Sequence, residues 1–376
     1  MRILTISYEY PPLGGGGGVA LAHSAKIWAT RGHKVTIVTS GGIGLPACQR
    51  DGTMEIYRVP VLARNARATA SLLSMLSFPF LAEQFVRRRW KSQDFDVILS
   101  CFAVPSGVVG MGLAQAWQRP HVVWVLGGDA YDPSKLVSPH RVPFLKQTVA
   151  AVLGRAQAII TMSEDMACRV KRIYHSHLPL TVIPPGLELP PPRPSNCSNG
   201  TVTIVSIARL VRRKRLDHLI RTFATLPRGF AQLLIVGDGP LHVTLQSLIN
   251  QLDVAEYAKL VGYLSEEEKY SLLRRADLFA LVSAHEGFGL VYLEAASQSL
   301  PIVAGNIGGQ VDFLVHGKTG WLVPYDNHRQ LANALFSLVT QPKLRLLMGR
   351  QALQMSRRYH ITQVADDFLQ VLGRVL

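Results

Sequence analysis

The chain has 376 residues, of which 48% are hydrophobic and 17% charged, and its formal net charge is +15. The length exceeds one ordinary core and predicts two domains of ordinary globular material; so basic a balance calls for an anionic partner (nucleic acid, an acidic membrane face or a phosphorylated substrate) unless it serves solubility alone. Four scattered cysteines without a CxxC pair (Cys48, Cys101, Cys168, Cys197) argue against a zinc site or a disulfide framework and fit a reducing cytosol, and no apolar run reaches the ~18 residues of a membrane span.

The opening Met1-Arg-Ile-Leu-Thr-Ile-Ser-Tyr8 reads as a first strand and lacks the long apolar core of a signal peptide. Short runs rich in Val, Ile and Leu follow at 34–39, 97–101, 121–125 and 158–161, with helical spacing between them, as at 19–31 and 142–155. Buried parallel strands alternating with helices predict a doubly wound α/β domain over 1–185. Within it, 63–91 combines Leu72, Leu73, Met75, Leu76, Phe78, Phe80 and Leu81 with Arg64, Arg67, Arg87, Arg88, Arg89 and Lys91. That stretch reads either as an amphipathic surface for an anionic membrane or as a core helix pair with a solvated basic end. Prolines then crowd 183–194, where no helix interior or central strand tolerates them, so 186–200 is expected to be a linker. A second α/β alternation occupies 201–355, with strands at 202–207, 232–236, 258–261, 278–281 and 301–303 and a weaker one at 321–323. Helical patterning runs from about 326 to the end, and 356–376 is expected as a helix that returns to the first domain. Two such domains facing each other bind ligands at the carboxyl ends of their strands, in the cleft between them.

The most informative segment is Glu286-Gly-Phe-Gly-Leu-Val-Tyr-Leu-Glu294, an acid before a flexible turn, a helix start, and a second acid within the helix. A turn that lets backbone N–H groups approach an anion, at the positive end of a helix, suits a central phosphate. Carboxylates on either side suit hydroxyl-rich groups, and the sum describes a nucleotide-sugar. Arg209 and Lys214 lie just past the first strand of the second domain, where two cations five residues apart can converge on one diphosphate. The glycine run Gly14–Gly18 follows the first strand of the first domain and is the counterpart of a phosphate cradle.

With these residues in place, the chain resembles the retaining nucleotide-sugar glycosyltransferases of group 1, the GT4 type with the GT-B architecture. The resemblance runs nearly end to end. It is carried by Pro11-Pro12-x-Gly-Gly-Gly-Gly-Gly18, Arg31-Gly32-His33-Lys34-Val35-Thr36, Ala208-Arg209-Leu210-x4-Arg215, Val236-Gly237-Asp238-Gly239-Pro240 and Val261-Gly262-Tyr263. Ser283-x2-Glu286-Gly-Phe-Gly, Gly308-Gly309 and His316-Gly317-Lys318-Thr319-Gly320 complete it, in the family's order.

The resemblance implies that Arg209 and Lys214 neutralise the leaving nucleotide diphosphate and that Glu286 contacts hydroxyls of the donor sugar. It places Glu294 on the ribose, with Gly287, Phe288, Gly289 and Leu290 presenting backbone to the phosphates and sugar, and Gly15 and Gly16 closing on the diphosphate and acceptor. Ala208 stands where the family usually has Gly, and Leu126 where many members carry a His. Asp129 is therefore the candidate for a polar contact on the sugar or acceptor side, although Asp beside Gly is also an ordinary turn signal. Transfer from a UDP- or GDP-sugar to a glycan or lipid-linked acceptor is the implied activity, without cofactor or metal, in the cytoplasm and peripherally on the inner membrane face. A non-catalytic binding protein of the same fold and a nucleotide-sugar epimerase are the alternatives. A nucleic-acid binder finds support in the charge alone, because the basic clusters do not alternate with aromatics.

Overall fold

A computed structural model describes residues 1–64, 71–135, 137–175, 180–188, 190–192 and 200–376. Arg67 of the basic stretch, Cys197 and 193–199 of the expected linker lie outside these described residues. Two compact units divide the chain: Met1–Glu188 with His360–Leu376, and Leu189–Tyr359.

The first unit alternates β1 (Arg2–Ser7), α1 (Gly16–Thr30), β2 (Lys34–Ser40), β3 (Cys48–Asp51), β4 (Met54–Val59), α2 (Leu72–Arg89), β5 (Val97–Cys101), α3 (Ser106–Trp117), β6 (His121–Val125), α4 (Pro143–Gly154), β7 (Ala158–Thr161), α5 (Glu164–Tyr174) and β8 (Leu180–Val182). Its sheet runs β3-β4-β2-β1-β5-β6-β7-β8 among the described residues, and all neighbours are parallel except β3 with β4. Strand direction reverses its progress between β1 and β5, which makes their carboxyl ends the switch point of this sheet.

The strands read from the sequence all form. The hairpin β3–β4 and the short β8 were not among those expected. In β3, Cys-Gln-Arg-Asp is exposed along its whole length, so it carries no apolar alternation to read. Only the turn at Asp51-Gly52, with Gly52 at φ +59°, marks the hairpin.

Within the stretch at 63–91, α2 has one buried and one exposed face. Ser74, Phe78, Ala82 and Val86 of α2 are buried on one face. Leu72, Leu73, Leu76 and Phe80 stand 60–69% exposed on the other.

The second unit holds β9 (Val202–Ile207), α6 (Leu216–Phe223), β10 (Ala231–Val236), α7 (His242–Gln251), β11 (Ala258–Gly262), α8 (Glu266–Arg275), β12 (Leu278–Leu281), α9 (Leu290–Ser297), β13 (Ile302–Gly305), β14 (Gly320–Val323), α10 (His328–Thr340) and α11 (Pro342–Ser356). Its parallel sheet has the order β11-β10-β9-β12-β13-β14, with the switch point between β9 and β12. The helical patterning of 326–376 is not one helix: Pro342, which lacks a backbone N–H, opens α11 as its first residue.

The last helix, α12 (Ile361–Arg374), belongs to the first unit. Phe368 is fully buried, with ring centroids 4.4 Å from Trp124 and 5.6 Å from Trp28. Trp28 donates its indole N–H to the Ala365 carbonyl at 3.2 Å, and Ile361 N–H donates to Leu187 O at 3.0 Å. Burying such a ring stabilises by roughly 2–3 kcal/mol, which fastens the end of the chain to the sheet where it began.

Candidate functional site

In the second unit the loops after β9 and β12 meet at the switch point. The β9 loop is shaped by the one after β10. Leu210 N–H donates to Asp238 O at 2.9 Å and Leu241 N–H to Leu210 O at 3.1 Å. A Cβ on Gly237 would lie 2.0 Å from Ala208 O, and one on Gly239 2.6 Å from Leu210 O, so both positions need glycine to let the backbones touch. Ala208 itself is buried.

This frame delivers two cations to one acid. Lys214 Nζ donates to Glu286 Oε1 at 2.5 Å, and Arg213 donates through Nη1 to Glu286 Oε2 at 3.1 Å and to the His285 carbonyl at 2.5 Å. Ala284 N–H returns a bond to Arg213 O at 2.8 Å, tying the two loops by backbone as well. Glu286 is 6% exposed. Burial alone would push its carboxyl up, but Lys214 and Arg213 dominate and hold it down at about 2, so it is ionised at neutral pH. The Lys214 ammonium is pulled below its usual value by burial, with Glu286 opposing and Arg213 and Arg209 adding repulsion. Arg209 is exposed at the mouth of the same loop, close enough for its charge to act on Lys214.

The Gly287-Phe288-Gly289 turn is held from three sides. Gly289 adopts φ +93° as the cap of α9, and the Tyr292 ring fills the place of a Cβ, 2.5 Å from where one would stand. The Phe288 side chain turns away into an aromatic cluster with Phe313, at 4.6 Å between centroids, and Tyr359, at 5.7 Å. Gly309 N–H donates to Glu286 O at 2.8 Å, and a Cβ on Gly309 would lie 2.1 Å from Gly287 O. The Gly308-Gly309 pair therefore exists to let β13's loop lie flat on the turn. Leu290 opens α9, whose amino end points the positive pole of its dipole at this place.

Glu294, four residues into α9, is 7% exposed, not the surface acid that its position in a helix would allow. Oε1 accepts from Lys269 Nζ at 2.9 Å, and Oε2 is buried without a hydrogen-bond partner. Lys269 also reaches both oxygens of Glu266 at 2.8 Å. Burial raises the Glu294 carboxyl above its usual value against the pull of Lys269. An orphaned acceptor oxygen of this kind is what a ribose hydroxyl would satisfy.

In the first unit, the glycine run follows β1 as expected, but its cradle is taken. Glu9 Oε2 accepts the Gly15 N–H at 2.8 Å, at the amino end of α1. Gly14, at φ +100°, leaves room for that carboxylate: a Cβ there would fall 2.5 Å from Glu9. Gly16, the first residue of α1, is exposed. Asp129 departs further from its expected place. It is 7% exposed, accepts from Ala103 N–H at 2.6 Å through Oδ2 and from Leu126 N–H at 3.0 Å through Oδ1, and burial raises it to about 6. Its oxygens clamp the loops after β5 and β6 to each other, as in the turn role.

Residues 15–186 match the family model of the glycosyl transferase 4-like domain, and residues 192–355 match that of glycosyl transferases group 1. The chain belongs to the group 1 glycosyltransferases. It is 23% identical to the GDP-mannose-dependent α-(1-6)-phosphatidylinositol monomannoside mannosyltransferase of Mycobacterium tuberculosis, over 93% of this chain and 91% of that one. Among solved structures, sucrose-phosphate synthase from Thermosynechococcus elongatus superposes with a TM-score of 0.87 at 18% identity, covering 100% of this chain and 99% of the other. The Anabaena protein HepE in complex with UDP superposes with a TM-score of 0.78 at 20% identity, with 100% of both chains covered. The fold is thus that of the GT-B glycosyltransferases.

For a group 1 glycosyltransferase, the sequence reading of the second unit missed two cations. Arg213 was not singled out beside Lys214, although it is the second partner of Glu286. Lys269 sits among the acids of Glu266-Glu267-Glu268 and showed no link to a residue 25 positions away. Both pairings depend on which loops the sheet order brings together, and no local spacing carries that.

Proposed function

We propose that the chain transfers a sugar, with retention of anomeric configuration, from a UDP- or GDP-sugar to a hydroxyl of a glycan or lipid-linked acceptor in surface polysaccharide or glycolipid synthesis. The observation that carries this reading is the buried Lys214–Glu286–Arg213 cluster at the switch point of the second unit's parallel sheet. Glu286 is ionised and fixed between two cations, so it can accept hydrogen bonds from donor-sugar hydroxyls while its partners turn part of their charge to an arriving diphosphate. Arg209, Lys214 and the α9 amino end with Gly287, Gly289 and Leu290 oppose the charge that develops on the leaving group. The diphosphate takes the acceptor proton, so no side-chain nucleophile, cofactor or metal enters the step. Glu294 receives the ribose hydroxyls on its unpartnered oxygen.

The test is nucleotide release from a panel of UDP- and GDP-sugars. The wild type is expected to release one nucleotide from one donor, faster with acceptor extract, and Lys214→Ala to lose at least ~100-fold in rate, as removal of a transition-state donor does. Release that is unchanged by Lys214→Ala, or none from any donor with acceptor extract present, refutes the reading. Sugar conversion without acceptor would mark an epimerase.

A peripheral membrane location on the cytoplasmic side is part of the same reading. No helix among the described residues is long and apolar enough to cross a membrane. The support is the exposed face of α2, where Leu72, Leu73, Leu76 and Phe80 run towards exposed Arg88 and Lys91. Flotation with vesicles containing phosphatidylglycerol, but not with pure phosphatidylcholine, is the expected outcome. Leu73→Glu with Phe80→Glu is expected to abolish it while leaving the melting temperature unchanged; equal flotation of that variant removes the proposal.

A further inference from the structure

At the carboxyl edge of the second unit's sheet, three residues unused by the proposed transfer converge. His218 of α6, Asp326 of the loop after β14 and His328 at the start of α10 each offer one ligand atom, all within 4.8 Å of one another. The rings of His218 and His328 stack at 3.9 Å between centroids. His218 is 4% exposed, and its Nδ1 is buried with no hydrogen-bond partner, facing Asp326 Oδ1 at 3.5 Å. His328 Nδ1 is taken by the Thr222 hydroxyl at 3.0 Å, which fixes the ring and leaves Nε2 as its ligating atom. A buried imidazole nitrogen without a partner is costly, and a cation is the group that a His-Asp-His set would satisfy.

We infer that His218, Asp326 and His328 form a binding site for one divalent transition-metal ion of the zinc type. Two imidazoles and one carboxylate suit zinc, cobalt, nickel or copper and not magnesium or calcium, which prefer oxygen shells. Three protein ligands leave a fourth position for water. In a tetrahedral shell with bonds of about 2.1 Å the ligand atoms stand about 3.4 Å apart, so the widest pair of the triad has to draw in by up to about 1.4 Å. The exposed Asp326 side chain, on the loop after β14, is the member that can move, while α6 holds His218 and the Thr222 hydroxyl holds the His328 ring.

Arg215 is a cation that lies against the site. It pairs with Asp326 and donates to the Tyr325 hydroxyl at 2.6 Å. A carboxylate has lone pairs for both a metal and an arginine, and Asp217, 3.8 Å from Arg215 Nε, adds a second negative charge. The bound ion would fasten α6 to the β14–α10 loop, beside the Lys214 loop but outside the transfer step, so the site stands or falls independently of the proposed activity.

The test is titration of the purified full chain with Co(II), read by its visible absorption, and with Zn(II), read by calorimetry and by melting temperature. One equivalent per chain is expected, with a rise in melting temperature. His328→Asn and Asp326→Asn, both exposed and thus harmless to folding, are expected to weaken binding by at least about tenfold and to lose the rise. His218→Gln is expected to do the same where its far-ultraviolet circular dichroism matches wild type. Absence of Co(II) absorption at excess metal overturns the proposal, as does binding undiminished in both exposed variants.

Discussion

Replacing Glu286 by glutamine is expected to cost about 3 kcal/mol of stability and at least ~100-fold in transfer rate. The stability loss follows from what stays behind: Lys214 and Arg213 keep their place beside a buried position that no longer carries charge. A buried pair that loses one partner costs more than the pair contributed, because the survivor is neither solvated nor neutralised. The pH dependence has a definite sign. The Glu286 carboxyl is held at about 2 in the folded protein, below the ~4.3 of a free glutamate. A depressed carboxyl stabilises fully above the unfolded value and loses that contribution as pH falls towards the folded one. Urea denaturation at pH 7 and at pH 4 should therefore show a large gap between wild type and Glu286→Gln at pH 7 and a smaller one at pH 4. Equal midpoints at pH 7 would mean that the cluster is solvated and the charge argument is wrong.

Replacing Gly309 by alanine is expected to be as damaging, although the change adds one methyl group and touches no charge. The new Cβ would fall 2.1 Å from Gly287 O, 2.7 Å from Gly287 C and 2.9 Å from Phe288 Cα, all parts of the turn between Glu286 and α9. None of these is the end of a side chain that could swing aside. Either the β13 loop lifts off, breaking the 2.8 Å bond from Gly309 N–H to Glu286 O, or the turn moves with it. Overpacking of this kind costs about 3 kcal/mol, and a displacement near 1 Å at a positioned group costs about 100-fold in rate. Gly154→Ala is the control, since a Cβ there meets nothing within 4 Å. The urea midpoint and the transfer rate are expected to fall together in Gly309→Ala and to stay at wild-type values in Gly154→Ala. A Gly309→Ala protein with wild-type rate would show that the turn's position does not matter to transfer.

Much of this protein is legible in its sequence because the information is local. Apolar runs such as 97–101 and 121–125 are strands wherever they fall, since nothing but a buried parallel sheet accommodates them. The order of short motifs, from the Gly14–Gly18 run to Gly308-Gly309, identifies the group 1 glycosyltransferases because each marks a turn at a strand end. The acid-turn-acid pattern at 286–294 singles out both carboxylates that the structure buries. What the tertiary structure alone decided is who meets whom. Arg213 on Glu286, Lys269 on Glu294, Asp129 on the backbone of Ala103, and His218 with Asp326 and His328 are partnerships between separate elements, and Glu9 on the Gly15 N–H is one within a loop. Periodicity and propensity report the burial of each segment by itself. A partnership depends on sheet order and on how closely two backbones can approach, and the sequence carries that only as isolated glycines and charges whose counterparts lie as far off as His328 does from His218.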